Sequence, residues 1–196
     1  MDFIVATTNS GKAKEFLSLL GDGHTVRTLA DIGFTDEIVE YGKTFAENAA
    51  IKALAVHKTV NISYDYIIAD DSGLVIDALS GKPGVYSARW LGADTPYLRK
   101  NEIIIDMLKD IPADKRTARF ICAMAAIDRI GQTEEAECSL EGFIADKPAG
   151  TGGFGYDPIF YLSEKNCTLA ELSLEEKNRI SHRYLAIKSL YKKLNY

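Results

Sequence analysis

Residues Ala149 to Pro158 read AGTGGFGYDP, and Gly150, Gly152 and Gly155 within them satisfy the pattern G-x-G-x-x-G. If a strand leads into this stretch and a helix leaves it, the chain is a doubly wound dinucleotide-binding fold, with a pyrophosphate on the helix N-terminus. Neither flank fits. Upstream, Ile144-Ala-Asp-Lys-Pro148 is not a clean strand end, and downstream Pro158 with Ile159-Phe-Tyr161 reads as extended chain. Glu175 stands where the ribose-binding acid would be sought, but no helix opens ahead of it. The glycines are therefore read as letting backbone approach a flat ligand, with Phe154 or Tyr156 offering an aromatic face.

The strand-turn-helix that AGTGGFGYDP lacks lies at the other end of the chain. Asp2-Phe-Ile-Val-Ala-Thr7 is a short apolar run suited to a buried strand, and Lys12 to Leu20 carries Phe16, Leu17 and Leu20 at helical spacing. Further strands are expected at Val26 to Leu29 and Ile67 to Asp71, and a long helix from Thr44 to Val60. Asp77 to Asp94 reads as a turn-rich loop and Tyr97 to Leu108 as a helix. Arg119 to Ile127 and Thr133 to Ile144 read as paired strands across a turn at Gly131. Ser173-Leu-Glu-Glu176 is a capping-box signature, and Tyr184 to Leu194 is amphipathic. Early alternation of strands and helices, followed by antiparallel strands, predicts an α/β fold: a mixed sheet flanked by helices.

Between the first strand and the first helix, Thr7-Thr-Asn-Ser-Gly-Lys12 places free backbone amides and Lys12 at a helix start, capped by Asn9 or Ser10. It is not a P-loop, because Ala6 and Ala13 stand where that pattern needs Gly and a hydroxyl residue. Lys12 and Lys14 sit at the positive end of the helix dipole, which is unfavourable unless an anion binds there. Taken alone, the turn is equally that of a capped helix with solvated lysines.

Glu40 precedes the long helix, on which Thr44, Asn48 and Lys52 share one face; alone this is an ordinary solvated side. Asp70-Asp71-Ser72-Gly73 places two carboxylates at the end of a buried strand, where open α/β sheets bind ligands, with Gly73 allowing a sharp exit. Such hard oxygen donors suit Mg²⁺, which takes one or two carboxylates and completes its shell with water and phosphates. The plainer alternative is a turn capped by the acids. Lys177, His182 and Arg183 form a basic group which, with Lys12 and Lys52, is expected to supply a local positive field for an anionic ligand.

Such a field must be local, because the 196-residue chain carries a formal charge of -5. An acidic balance argues against a non-specific nucleic-acid binder. Cys122, Cys138 and Cys167 lie far apart and outside any C-x-x-C unit, so reduced thiols in a cytoplasmic protein are expected. The N-terminus shows no leader pattern, and no run is long enough to span a membrane, so the chain reads as soluble and unprocessed.

Thr7 to Lys12, Glu40 to Lys52, Ala69-Asp-Asp-Ser-Gly73, Pro83-Gly-Val-Tyr-Ser-Ala-Arg89, Ala149 to Phe160, and Glu176-Lys177 with Ser181-His-Arg183 occur in one order from end to end. In that set the chain resembles the non-canonical purine nucleoside triphosphate pyrophosphatases, also called inosine triphosphate or XTP/dITP pyrophosphatases. Thr8, where that family usually has Gly, and Tyr41, where Thr is more usual, are the departures. The resemblance implies one two-lobed domain over residues 1–196, an elongated mixed sheet with a substrate cleft between the lobes, a homodimer, and Mg²⁺-dependent hydrolysis of ITP, dITP or XTP to the monophosphate and pyrophosphate. It implies that Thr7, Thr8, Asn9, Ser10, Gly11 and Lys12 hold the triphosphate, with Lys52 assisting. Asp71 is then the proton acceptor and, with Glu40, a metal-site residue, and Ser72 touches substrate. Phe154, Gly155, Tyr156, Asp157, Lys177, His182 and Arg183 form the purine pocket. A non-catalytic purine-nucleotide-binding regulator is the alternative, and hydrolysis of another phosphoanhydride shares the same motifs.

Overall fold

The computed structural model describes residues 1–21 and 23–194. Its elements follow the sequence in order: β1 (Asp2–Val5), α1 (Ser10–Leu20), β2 (Thr25–Thr28), α2 (Phe45–Thr59), β3 (Tyr66–Ile76), α3 (Tyr97–Met107), β4 (Thr117–Asp128), β5 (Thr133–Ile144), β6 (Phe160–Leu162), β7 (Cys167–Thr168), α4 (Leu174–Asn178) and α5 (His182–Tyr191). Among the described residues, seven strands form one sheet in the order β2-β1-β3-β4-β5-β6-β7. β1 runs parallel to both β2 and β3, whereas β6 is antiparallel to β5 and to β7. β4 and β5 are neighbours joined by a tight turn, with Asp128 N donating to Gln132 O at 3.0 Å, as a hairpin requires. This is the mixed sheet that the alternation predicted.

The chain divides into two compact units. The first comprises Met1–Asp71, Cys122–Cys138 and Arg183–Tyr196, and the second Ser72–Ile121 and Ser139–His182. β3, β4 and β5 each pass from one unit into the other along their length.

Within the first unit, the strands are apolar on both faces because helices cover both. Phe3, Val5 and Ile68 pack with Phe16 and Leu20 of α1 and with Ala186, Ile187 and Leu190 of α5. Ile4, Ile67 and Ala69 face the other way and pack with Ala49, Ala53 and Val56 of α2. Successive strand residues alternate between these two cores, as the two-residue period demands. The second unit has its own core, in which Leu74, Ile76, Ile104, Phe120, Phe160 and Leu169 are buried.

One expectation fails. β3 does not end at Asp70 and Asp71 but runs on through Ser72 and Gly73 to Ile76. Gly73 is not a sharp exit, because Leu74 and Ile76 enter the second core and the Leu74 amide finds the Ser87 hydroxyl at 2.9 Å. Burial of these apolar residues holds the strand extended past the acids. The expected loop from Asp77 to Asp94 does hold two short 3₁₀ turns, Asp77–Leu79 and Gly84–Tyr86.

AGTGGFGYDP opens no helix beyond the single 3₁₀ turn Asp157–Ile159. The role of two of its glycines is internal. Gly150 has φ +78°, and a Cβ there would lie 2.3 Å from the Ala170 carbonyl carbon; Gly153 has φ +67°, and its Cβ would meet the Asp157 carboxylate at 2.1 Å. Close packing of the loop on its own neighbours therefore requires them. A Gly150→Ala substitution forces a side chain into backbone, and we expect it to lower stability by about 1–3 kcal/mol. Urea unfolding checks this as a lower midpoint at unchanged slope.

Candidate active site

Two groups of polar residues are built, one in each unit. In the first unit, the turn after β1 is ordered by its own side chains. Thr7 Oγ1 accepts from Asn9 N at 3.2 Å, and Asn9 Oδ1 accepts from Lys12 N at 3.0 Å. Asn9 is thus the N-cap of α1, settling which of two residues takes that part. Thr8, Asn9 and Ser10 are exposed, and Gly11 and Lys12 are partly so. An exposed helix start with an adjacent lysine is a place for an anion.

Asp70 and Asp71, neighbours on β3, leave the strand on opposite faces. On the α2 face, Asp71 Oδ2 accepts from Asn48 Nδ2 at 3.0 Å, and Lys52 Nζ lies 3.5 Å from Asp71 Oδ1 and 3.2 Å from Glu40 Oε1. Asn48 also accepts from Gly42 N at 2.8 Å, so one buried carboxamide ties the segment after Glu40 to the Asp71 carboxylate. Thr44 and Glu47 form a reciprocal cap that fixes where α2, and so Asn48 and Lys52, begin. Burial pushes the Asp71 carboxyl up, against the pull of Lys52, Lys12 and Asn48. Burial also works against the Lys52 charge, but Asp71, Asp70 and Glu40 outweigh it and hold the ammonium above its ordinary range.

On the opposite face, Asp70 Oδ2 lies 3.0 Å from Lys12 Nζ and accepts from Arg183 Nη2 at 3.0 Å and Nε at 3.3 Å. Arg183 Nη1 also donates to Glu15 Oε2. Burial alone would lower the Arg183 pKa, but Asp70 and Glu15 raise it well above its ordinary value.

The second unit gathers the other expected residues. Asp157 Oδ2 accepts from Phe154 N at 2.7 Å and from Lys177 Nζ at 2.6 Å, and Lys177 Nζ lies 4.7 Å from the centre of the Phe154 ring. Asn101 Nδ2 donates to Gly155 O at 3.2 Å. His182 stacks on Phe120, with ring centres 4.8 Å apart and planes 11° off parallel. Ser72, partly buried, is the first residue of β3 inside this unit.

Several expectations change in detail. Tyr156 offers no open aromatic face: it is 3% exposed, its ring packs edge-on against Tyr97 and its hydroxyl donates to Ser87 O at 2.8 Å. That part falls to Phe154. Arg183, grouped by sequence with Lys177 and His182, is buried in the first unit with Glu15 and Asp70. The five cations do not form an open positive field either. Lys12, Lys52, Lys177 and Arg183 all have carboxylate partners within the protein, because cations this buried need a counter-charge. In sequence Asn48 is only part of a polar stripe and Glu15 has no assigned role, yet they hold Asp71 and Arg183 respectively. The available sign of Glu15 was an acid one helical turn after Lys12 and next to the apolar Phe16.

The donor set suits a divalent cation. Asp71 and Glu40 converge on one positive charge, the Lys52 ammonium, so a cation is already favoured between them. Hard carboxylate oxygens fit Mg²⁺. Among the described residues, no three His, Cys, Asp or Glu side chains are grouped so as to hold a metal ion, so the protein would supply two carboxylates at most and water or phosphate the rest.

The sheet order and these paired acid–lysine groups define an α/β protein with an exposed, capped helix start in the same unit as a buried carboxylate pair. A Ham1 family model matches residues 3–193, and the chain belongs to that family. A protein named dITP/XTP pyrophosphatase from Bacillus subtilis (strain 168) is 51% identical over 192 residues, covering 97% of this chain and 96% of the relative. One of the same name from Listeria monocytogenes serovar 1/2a is 48% identical over 192 residues, covering 97% and 93%. The solved Staphylococcus aureus Ham1 protein has a TM-score of 0.85 at 36% identity, covering 99% of this chain and 98% of its own.

Asn48 holds Asp71 and the Gly42 amide at once, so Asn48→Ala removes one bond from the buried Asp71 carboxylate and the side-chain acceptor of the part-buried Gly42 amide. A loss of about 1–3 kcal/mol in unfolding free energy is expected, read by chemical denaturation.

Proposed function

We propose that this chain is a nucleoside triphosphate pyrophosphatase that hydrolyses ITP, dITP and XTP to the monophosphate and pyrophosphate with Mg²⁺, removing deaminated purines from the nucleotide pool. The observation that carries this reading is the convergence of Glu40, Asp71 and Lys52, with Asn48 orienting Asp71, in the same unit as the Asn9-capped turn. The names of the relatives support it, as does the resemblance in motif order. A cytoplasmic homodimer belongs to the same proposal, as does a single two-lobed domain over residues 1–196. No described helix is long and apolar enough to cross a membrane.

In this reading, Thr7 to Lys12 take the phosphates, with backbone amides at the start of α1 and the Lys12 ammonium meeting their charge. Glu40 and Asp71 would hold Mg²⁺, which supplies charge neutralisation on the phosphates when bound. Asp71, held by Asn48 and raised by burial, orients the attacking water and accepts its proton at a carboxylate oxygen. Lys52 moves with the charge balance, since its ammonium shares both carboxylates. Phosphoryl chemistry of this kind rests on positioning and electrostatics more than on covalent groups.

Base reading falls to Phe154, Gly155, Asp157, Lys177 and His182, and Ser72 of the same unit touches substrate. The Phe154 ring, with Lys177 fixed over it, supplies a flat apolar surface. A 6-oxo purine presents an acceptor to N–H donors such as His182 or loop amides, whereas adenine presents an amino group and leaves such donors unpaired. A buried mismatch of that kind supports discrimination of about 10⁴. Arg183 contributes indirectly, through its bonds to Asp70 and Glu15.

Purified protein with Mg²⁺ should release pyrophosphate from ITP, dITP and XTP and far less from ATP, and removal of the metal with EDTA should abolish turnover. Release of orthophosphate in place of pyrophosphate would rule out attack at the α-phosphorus. Asp71→Asn should retain nucleotide binding while kcat drops by roughly 10²-fold or more, the scale for a positioned proton acceptor; near-normal kcat would sink that role. Tight nucleotide binding without metal-dependent turnover in the unaltered protein would instead indicate a regulator.

A further inference from the structure

Lys12, Asp70, Arg183 and Glu15 form a chain of charge inside the first unit, closed into a ring by the α1 backbone. Lys12 and Glu15 lie one helical turn apart on α1, Asp70 comes from β3, and Arg183 comes from the first turn of α5. Lys12 Nζ lies 3.0 Å from Asp70 Oδ2, the same oxygen accepts from Arg183, and Arg183 returns to α1 through Glu15. The side chains of Glu15, Asp70 and Arg183 are at most 3% exposed, whereas that of Lys12 is 15% exposed. The ring is therefore neutral, and Lys12 is its open member. None of the proposed chemical steps uses Asp70, although among the described residues no acid is better shielded from water.

We infer that Asp70 is an internal counter-anion for the phosphate site: its carboxylate occupies and orients Lys12 when no nucleotide is bound, and limits how tightly phosphates are held. The inference rests on the reading of Lys12 as a phosphate-binding cation. An ammonium has three donors, so Lys12 can keep Asp70 while turning the others outward to an incoming phosphate. Two opposing effects follow from losing the Asp70 charge. Lys12 becomes less well positioned, but the ring acquires a net positive charge next to the bound anion. Coulomb attraction between unit charges several ångströms apart in a partly buried site exceeds the cost of holding one lysine rotamer. The charge effect should win. Asp70 thus keeps the product pyrophosphate from binding too well, which makes it a positioning residue and not a catalytic one.

Inorganic pyrophosphate tests this without any base, titrated calorimetrically in EDTA so that only protein groups bind it. Asp70→Asn should bind pyrophosphate about tenfold more tightly than the unaltered protein. Lys12→Met should bind it about tenfold more weakly. In steady state, Asp70→Asn should show a lower KM and a lower kcat, by the same factors for ITP and XTP, because release slows whatever the base. A purely structural role predicts a higher KM instead. If Lys12→Met binds pyrophosphate as the unaltered protein does, the phosphate-turn reading falls and the inference falls with it. If Lys12→Met weakens binding but Asp70→Asn does not tighten it, the inference alone is overturned. Should Asp70→Asn fail to fold, Glu15→Gln removes the same charge from the ring without touching Lys12. It should tighten pyrophosphate binding by about threefold, and no tightening overturns the inference.

Discussion

Two adjacent carboxylates, Asp70 and Asp71, are buried on a strand in the middle of the sheet, and much of the first unit is arranged around their charge. Neither could remain ionised there without partners, since removing a carboxylate from water costs several kcal/mol. The pleat separates them. Asp70 meets Lys12 and Arg183 on the face covered by α1 and α5, and Asp71 meets Asn48 and Lys52 on the face covered by α2. Each helix that packs on the strand brings a cation or an amide to the acid on its side. Packing and electrostatics are in this sense one constraint, because the apolar residues that seat each helix also set the register of its polar one.

The same logic organises the second unit on a smaller scale. Asp157 is buried and joins Lys177 to the Phe154 amide, so a charge pair defines the loop conformation. Gly150 and Gly153 are required because that conformation brings loop backbone and the Asp157 carboxylate closer than a Cβ permits. A glycine-rich stretch that resembles a phosphate cradle is here a tightly wound loop bearing Phe154. The strand-turn-helix proposed to receive phosphates lies at Thr7 to Lys12.

Ion pairing throughout the candidate site changes how ligand binding is to be viewed. The cations that would meet a triphosphate do not wait as bare positive charge. They are balanced by the protein's own carboxylates, and an incoming anion or metal must redistribute those pairings. Affinity for phosphates is then a difference between two well-paired states, which permits turnover without trapping product.

Local features were legible in the sequence. The strand-turn-helix at the N-terminus, the course of α2, the hairpin of β4 and β5 and the capping box at Ser173 all follow from periodicity and side-chain chemistry within a few residues. The run of motifs likewise pointed to the family. Proximity in sequence misled where partners come from elsewhere in the fold. Arg183 adjoins His182 and Lys177 in sequence, yet the packing of α5 in the first core brings it to Glu15 and Asp70, which lie more than a hundred residues away in the chain. Asp70 and Asp71 read as one pair, and only the two-faced sheet showed that they serve different partners. β3 outran its expected end because Leu74 and Ile76 are buried by a second core that no local pattern encodes. Sequence alone determined the local elements and the side-chain types that each turn and helix face offers, since these depend on residue type and short-range spacing. Only the tertiary structure decided which charges meet, because the cost of burying a charge is offset by whichever opposite charge the packing of distant elements brings to it.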